Sequence, residues 1–398
     1  MILILLFWIC FFILFYTYFG YALLLFLFST LKNWVTKKTS KKNQAGYEPG
    51  VCLFITAFNE KDYIKDKVEN SFSLDYPKEK VQYLWITDGS DDGTPEILRK
   101  YKNLEVHHLP ERRGKMHAMN RGMQFVKTPI VIFSDTNTRL GENSIREIVA
   151  QLSNPKVGCV AGEKRIVDKK EDVAAGAGEG LYWKFESWIK KMDADLNSAV
   201  GAVGELFAIR TELFEAVEQD TILDDLIISL RIAQKGFRIA YSPNAFAEET
   251  ASLNVNEELK RKVRIAAGGI QTIFRLKALL NPFKYGVLSW QYISHKVLRW
   301  TLAPVSLFLL LFVNILIVVG NTGFTISDFY FLFLILQLVL YFFAFAGWLF
   351  ENKKLQFKFL FVPYYFVAVN YAEILGIIRF FKGKQTVNWE KSKRAQVL

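Results

Sequence analysis

The first 28 residues contain no charged side chain, a longer run than the roughly 20 apolar residues a helix needs to cross the hydrocarbon core of a bilayer. A chain with such a run has one part that must leave water. No basic residue precedes the run and no small-residue cleavage site follows it, so a retained anchor is expected rather than a removed signal peptide. Lys32, Lys37, Lys38, Lys41 and Lys42 come next, and basic residues beside a span mark its cytoplasmic side. Further apolar runs at 302–319, 329–350 and 359–378 read as spans, and the stretch 321–328 between the first two carries no Lys or Arg. Parity then sets a conflict. One anchor and three later spans put the tail outside, yet that tail holds Arg379, Lys382, Lys384, Lys391, Lys393 and Arg394. Pro363, Asn370 and Glu373 interrupt the last run with groups that are costly in lipid, so a second arrangement, interfacial or re-entrant with the tail inside, stands beside the first.

The rest of the chain has the material for a soluble domain. Of the 398 residues, 51% are hydrophobic and 15% aromatic. Short β-branched or aromatic runs at 51–56, 81–86 and 130–134 alternate with polar stretches of helical length at 62–72, 95–102 and 115–125. Strand alternating with helix predicts an α/β fold with a mostly parallel sheet covered on both faces. In an open sheet of this kind ligands bind beyond the carboxyl ends of the strands. Asn59-Glu60, Asp88 and Asp135 each fall just past such an end.

Several function classes recede on composition. The formal charge of +11 gathers beside the spans, where orientation and anionic lipid account for it, so no nucleic-acid partner is expected. Cys10 lies in the anchor, and Cys52 and Cys159 lie in strands without metal-ligand spacing; all three read as small buried hydrophobes. His107, His108, His117 and His295 are scattered and read as exposed or structural. The chain has no Gly-x-x-x-x-Gly-Lys-Ser/Thr phosphate loop, which argues against ATP-driven transport.

Taken singly, the strand-end motifs admit plain readings beside functional ones. A carboxylate such as Asp88 can accept from the imide N–H of a uracil ring, or it can be a turn residue in Asp-Gly-Ser. Lys115 suits a phosphate as a mobile point charge, or is a solvated lysine. Asp135 and Asn137, two apart after a strand, suit a hard cation bridging a diphosphate, or an Asx turn. Asp224 and Asp225 open a stretch, 224–234, with apolar residues at helical spacing, so either acid could cap the helix. The segment 178–192 sets Tyr182, Trp183, Phe185 and Trp188 beside Glu179 and Glu186, a means of gripping a sugar or a membrane-facing helix. Residues 261–295 mix basic and apolar residues in an interfacial pattern.

Taken together, Thr56-Ala57-Phe58-Asn59-Glu60, Asp88-Gly89-Ser90-Asp91-Asp92-Gly93-Thr94, Arg113-Gly114-Lys115 with Ala118 and Asn120, Ser134-Asp135-Thr136-Asn137-Thr138 and Asp224-Asp225 resemble, in order and spacing, the membrane-bound family 2 glycosyltransferases. The resemblance extends through Gly201–Arg210 and Arg261-Lys262-Val263-Arg264 to Ser294–Trp300. It implies a GT-A nucleotide-sugar-binding fold and inverting transfer from a nucleotide donor, with a divalent cation, Mg or Mn, as cofactor. Asp225 is then the general base. Thr56, Ala57, Asn59, Glu60, Asp88, Lys115, Asp135 and Asp224 bind the donor, and Asp135 and Asn137 hold the metal in an Asp-x-Asn form. Gly204 and Glu205 fall in the acceptor loop. Polymer synthases of the family carry Gln-Arg-x-Arg-Trp where this chain has Arg261-Lys262-Val263-Arg264-Ile265; Lys262 and Arg264 can still meet diphosphate, while Ile265 offers no face for sugar stacking. Trp389 in the tail would gate the donor pocket.

The expected organisation is an N-terminal anchor at 1–30, a cytoplasmic GT-A domain at 45–250, amphipathic interface helices at 251–300, transmembrane segments at 301–380 and a basic tail at 381–398. The expected function is transfer from a nucleotide sugar, a UDP-sugar first, to a lipid-linked or polysaccharide acceptor at the inner face of the plasma membrane. The rivals are a processive synthase that extrudes its polymer and a non-catalytic nucleotide-sugar sensor or scaffold.

Overall fold

The computed structural model describes residues 1–35, 46–167, 173–250, 252, 255–320, 328–350 and 358–383, and for 173–182, 358 and 359 the backbone only. Trp389 therefore lies outside the described residues. The strands are β1 (Val51–Ala57), β2 (Val81–Asp88), β3 (Glu105–Leu109), β4 (Ile130–Asp135), β5 (Arg139–Leu140), β6 (Val157–Val167), β7 (Leu206–Arg210) and β8 (Arg238–Thr250). The helices that matter for the site are α1 (Ile2–Val35, with a wide turn at Tyr16–Gly20), α2 (Lys61–Ser73), α3 (Lys115–Gly122), α4 (Ser144–Leu152), α5 (Val173–Leu196), α6 (Asp224–Gln234), α7 (Val255–Arg275), α8 (Val287–Tyr292, running on through Ile293–Val297 to Leu298–Trp300), α9 (Leu302–Gly320), α10 (Phe329–Phe350) and α11 (Lys358–Phe381).

The sheet is ordered β3-β2-β1-β4-β7-β6-β8-β5. Its first four strands are parallel, as the alternating pattern implies. Side chains along β1 divide by parity: Cys52 and Phe54 enter one core, while Val51, Leu53, Ile55 and Ala57 enter the other. That is the mark of a strand buried on both faces. β7 departs from a purely parallel sheet by running antiparallel between β4 and β6. Its Phe207 and Ile209 alternate with Leu206 and Ala208 between the same two cores, and a period of two is identical in either direction, so the pattern gives the strand and not its sense.

Among the described residues, four helices are long and apolar enough to cross a membrane: Ile2–Val35, Leu302–Gly320, Phe329–Phe350 and Leu360–Phe381. The start of α1 packs on α9 and α10, with Phe7 and Cys10 against Leu310 and Val313 and the Trp8 ring stacked on Phe329. Two polar contacts lie inside this bundle, where lipid offers no partner: Trp8 Nε1 donates to Tyr330 Oη at 3.3 Å and Asn314 Nδ2 to Gln337 Oε1 at 2.8 Å.

The last helix is different. α11 lies alongside α7 in the same direction, from Val255 against Phe361 and Tyr364 to the Phe274 and Phe380 rings stacked at 5.5 Å. A glycine at 376 makes the approach feasible, since a Cβ there would stand 2.4 Å from that of Ala266. The polar residues that made this run doubtful as a span are used by the protein: Asn370 accepts from Tyr18 Oη at 2.6 Å, and Glu373 faces the cavity described next. The three cysteines are buried and free, as read.

Candidate active site

Register brings the strand ends together, because Thr56 lies level with both Ile86 and Asp135. The loops beyond them interlock. The side chain of Asn59, whose φ is +52°, donates to Asp91 Oδ1 at 2.7 Å and accepts from the Asp91 N–H at 3.0 Å. The Glu60 N–H donates to Thr94 Oγ1 at 3.0 Å. Asn59 and Glu60 thus brace the neighbouring loop and line neither of the two cavities of the site, whereas Thr56 and Ala57 line the smaller one.

That smaller cleft lies between Phe58, Arg112, Gly114 and Asp88. One oxygen of Asp88 accepts from the N–H groups of Arg113 at 2.9 Å and Gly114 at 2.7 Å. The other, Oδ1, is buried and has no hydrogen-bond partner among the described residues, with His117 Nδ1 at 3.9 Å. Gly89, at φ +68°, lets the loop pass Arg112, whose backbone N would stand 2.7 Å from a Cβ there. An orphaned buried acceptor costs free energy until a donor arrives.

Beside the cleft opens a cavity of about 230 Å³. At its sheet end Lys115 Nζ stands 3.1 Å from Asp135 Oδ1 and 3.1 Å from Asp224 Oδ2. Burial works against the Lys115 charge, but those two carboxylates more than offset it and raise its pKa. Asp225 opens α6 next to them. Burial, then the charge of Asp224, push its carboxyl up to about 7 against the pull of Lys115. A carboxylate that titrates near neutrality in a cleft is suited to taking a proton. Gly204 borders the same carboxylate, which would lie 3.8 Å from a Cβ at that position.

The Asp135 turn rests on a residue that the sequence reading passed over. Lys67 is buried under it and donates to Ser134 Oγ at 2.7 Å and to the Thr138 carbonyl at 2.8 Å. Burial lowers its pKa to about 7, with Asp135 acting in the other sense. Asn137 does not line either cavity; its amide donates to Glu249 at 3.0 Å. Glu249 and Glu205 share the ammonium of Lys164, at 2.6 and 2.5 Å. Glu205, which does line the cavity, is held well below the usual carboxylate range because Lys164 outweighs the cost of burial.

The far wall comes from α5, α7, α8 and α11. On α7, Arg261 makes a two-pronged pair with Glu258 at 2.8 and 2.9 Å, and Lys262 lies 3.8 Å from the same carboxylate. Arg264 and Ile265 face the cavity, and among the described residues Arg264 has no ion pair. Of the aromatic segment on α5, Trp183 and Glu186 line the cavity, while Phe185 and Trp188 are exposed on the outer side; the side chains of Glu179 and Tyr182 are outside the described ones. Glu186 gathers Lys296 at 2.6 Å, Arg299 at 2.9 Å and His295 Nε2 at 3.1 Å. His295 Nδ1 meets Asp193 at 2.7 Å, which also accepts from Tyr21 Oη of α1 at 2.5 Å. His295 is structural, as read, but at the centre of a buried chain that ties the anchor to the cavity. Charged residues at 186, 190 and 193 recur at helical spacing on the buried face of α5, a signal that was available in the sequence.

Among the described residues no three His, Cys, Asp or Glu side chains gather as a metal cage. The wall instead offers Asp135. One carboxylate together with substrate phosphates is the ordinary way Mg²⁺ is held, so the donor set fits an ion shared with a nucleotide diphosphate rather than one caged by protein.

Residues 49–268 match the family model described as glycosyltransferase like family 2. The poly-beta-1,6-N-acetyl-D-glucosamine synthase of Staphylococcus aureus is 26% identical over 234 residues, covering 57% of this chain and 56% of that protein. The beta-monoglucosyldiacylglycerol synthase of Trichormus variabilis is 25% identical over 205 residues, covering 48% and 43%. The matches thus span about half the length of these relatives. Among solved structures, a mannosyltransferase from Pyrobaculum calidifontis in complex with GDP-Man and Mn²⁺ superposes with a TM-score of 0.63 at 21% identity, covering 91% of this chain and 98% of that one. That likeness is one of fold.

Proposed function

Because the chain belongs to the glycosyltransferase like family 2, we propose that it transfers a sugar, with inversion, from a UDP-sugar to a hydroxyl of a lipid-linked or glycan acceptor at the cytoplasmic face of the membrane. The observation that carries this reading is Asp225, a carboxyl titrating near 7 in a cavity bounded by strand ends on one side and by membrane-proximal helices on the other.

The single free oxygen of Asp88 matches the one imide N–H of uracil, whereas guanine presents two adjacent donors. Lys115 and Arg264 lie in the same cavity to meet the diphosphate. Asp225 takes the proton of the acceptor hydroxyl as its oxygen forms a bond to the anomeric carbon. The bond from that carbon to the diphosphate breaks on the opposite side, and its electron pair leaves with the nucleotide. Lys115 then balances the charge gathering there. Asp135 would share a divalent cation, Mg²⁺ or Mn²⁺, with the donor; when bound, that ion neutralises diphosphate charge.

For topology we read α1, α9 and α10 as crossing and α11 as lying in the interface beside α7, which keeps the basic tail inside. Lys32 at the end of α1 donates to the Asp195 carbonyl of α5 at 2.9 Å, on the side of the catalytic domain. A processive reading is favoured by the name of one relative; Ile265 at the cavity wall, where an aromatic would stack on a sugar, favours single addition. The test is nucleotide release by the purified full chain against a panel of UDP- and GDP-sugars with Mn²⁺ or Mg²⁺, beside Asp225→Asn, with product length measured for any active donor. Release from one UDP-sugar, lost in the variant, is the expected result. Donor binding without turnover under any metal or acceptor would leave a sensor or scaffold.

A further inference from the structure

The membrane end of the cavity carries more positive than negative charge. Lys190 of α5 is 5% exposed and lines the cavity, yet no carboxylate among the described residues pairs with it. Its Nζ lies 5.4 Å from the centroid of the Trp183 ring. One turn away, Lys296 and Arg299 both draw on Glu186, which His295 also contacts. Arg379 and Glu373 complete this wall. A buried ammonium without a direct ion pair is expensive, and the chain places one where two more cations already share a carboxylate. Burial lowers the Lys190 pKa, Glu186 opposes it, Lys296 adds to the lowering, and Glu163 and Glu205 attract more weakly; an arriving anion would favour the charged form.

Position identifies the source of the anion. Lys296 and Arg299 immediately precede α9, which starts at Leu302 and is long and apolar enough to cross a bilayer, so they stand at headgroup level. We propose that Lys190, Lys296 and Arg299 form a subsite for the phosphate of a membrane-borne acceptor, a long-chain lipid phosphate or diphosphate whose attached sugar presents the attacking hydroxyl. This rests on the transferase reading above and deepens it. It separates the acceptor from neutral lipids such as diacylglycerol and from a free neutral glycan, neither of which offers a counter-charge to Lys190.

The test is binding of dodecyl phosphate to the full chain in phosphatidylcholine nanodiscs, followed by the fluorescence of the cavity tryptophans, with dodecanol and inorganic phosphate as comparisons and with saturating UDP present or absent. Dodecyl phosphate should bind at least about tenfold more tightly than either comparison and persist with UDP bound. Lys190→Met should weaken it by about tenfold while leaving UDP affinity unchanged, and Lys190→Arg should recover most of the loss. Displacement by UDP would assign the cations to the donor and overturn the proposal. Equal binding of inorganic phosphate would remove the lipid from it, and unchanged affinity in Lys190→Met would remove Lys190. Asp225→Asn should still bind dodecyl phosphate, so absence of transfer with every donor would strike the transferase reading, whereas transfer without dodecyl phosphate binding would strike this inference alone.

Discussion

The two ends of the cavity are built in opposite ways. At the sheet end, Asp88 and Asp135 close β2 and β4, whose apolar runs are recognisable, and Lys115 opens α3 beside them. At the membrane end, Glu186, Asp193, His295, Lys296 and Arg299 come from α5 and α8, about a hundred residues apart, and Tyr21 joins them from α1. The first end is positioned by strand register, with buried charges such as Lys67 and Lys115 set on it, and the second is held by buried charges drawn from distant helices. The comparison implies that changes at the sheet end act on turnover and donor choice, whereas changes at the membrane end act on the integrity of the fold and on the acceptor.

The largest effect should separate the ends most sharply. Asp225→Asn should lower turnover by about a thousandfold, the scale of a lost general base, without unfolding the protein. Turnover in the native enzyme should rise with pH through about 7 and then level, since the carboxyl must be ionised to accept a proton. Stability should move the other way. With a folded pKa raised above the value near 3.9 of an unfolded aspartate, the contribution of Asp225 is full below the unfolded pKa and is lost as pH rises through about 7. Thermal melts at pH 6 and pH 8.5 should therefore show the Asn variant losing less stability than the native chain over that interval; a larger loss in the variant would place the raised pKa elsewhere.

At the other end, Glu186→Gln leaves Lys296, Arg299 and His295 around a neutral amide. Breaking a buried ion pair from one side costs about 3 kcal/mol or more, so the expected result is a clearly lowered melting temperature in nanodiscs, with donor affinity unchanged in the protein that remains folded. A variant as stable as the native chain but slower would mean that Glu186 acts in the chemistry, and the division between the ends would fail. Asp88→Asn is the milder counterpart at the sheet end. If its oxygen keeps the Arg113 and Gly114 N–H groups, its amide then meets the uracil imide donor to donor. A loss of about 2 kcal/mol, some thirtyfold in donor KM, is expected, with little change in melting temperature. An equal loss for UDP and GDP donors would remove Asp88 from base recognition.

What could be read from the sequence follows the same division. β1, β2 and β4 were legible because both faces of each strand are buried and the runs are short, and the acids at their carboxyl ends follow from topology, although Asp88 and Asp135 close the strands rather than follow them. The direction of β7 was not legible, because alternation is blind to sense. Lys67 was hidden by its residue type, although Ile64, Lys67, Val68 and Ser71 fall on one helical stripe and all are buried. The pairing of α11 with α7 was beyond any periodicity, since it depends on Gly376 meeting Ala266 more than a hundred residues away. Parity of spans raises a question about the last helix, and the packing of α11 on α7 is the observation on which the proposed topology rests.

Asn137 is where the sheet end borrows from the buried-charge style of the other, and it should give the smallest effect. Resemblance makes it a metal ligand beside Asp135, but it lines neither cavity, and its Nδ2 donates to Glu249, which Lys164 links to Glu205 at the cavity wall. Asn137→Ala removes one hydrogen bond to a carboxylate that keeps its lysine, a loss of about 1 kcal/mol. If Asn137 is a brace, the Mn²⁺ concentration for half-maximal turnover should stay within about threefold of the native value while the melting temperature falls slightly. A shift of tenfold or more at unchanged stability would mean that the Asn137 carbonyl oxygen turns to the ion when donor binds. Asp135 would then share the metal with a second residue after all, and the motif would work as the family's two-ligand form despite the neutral side chain.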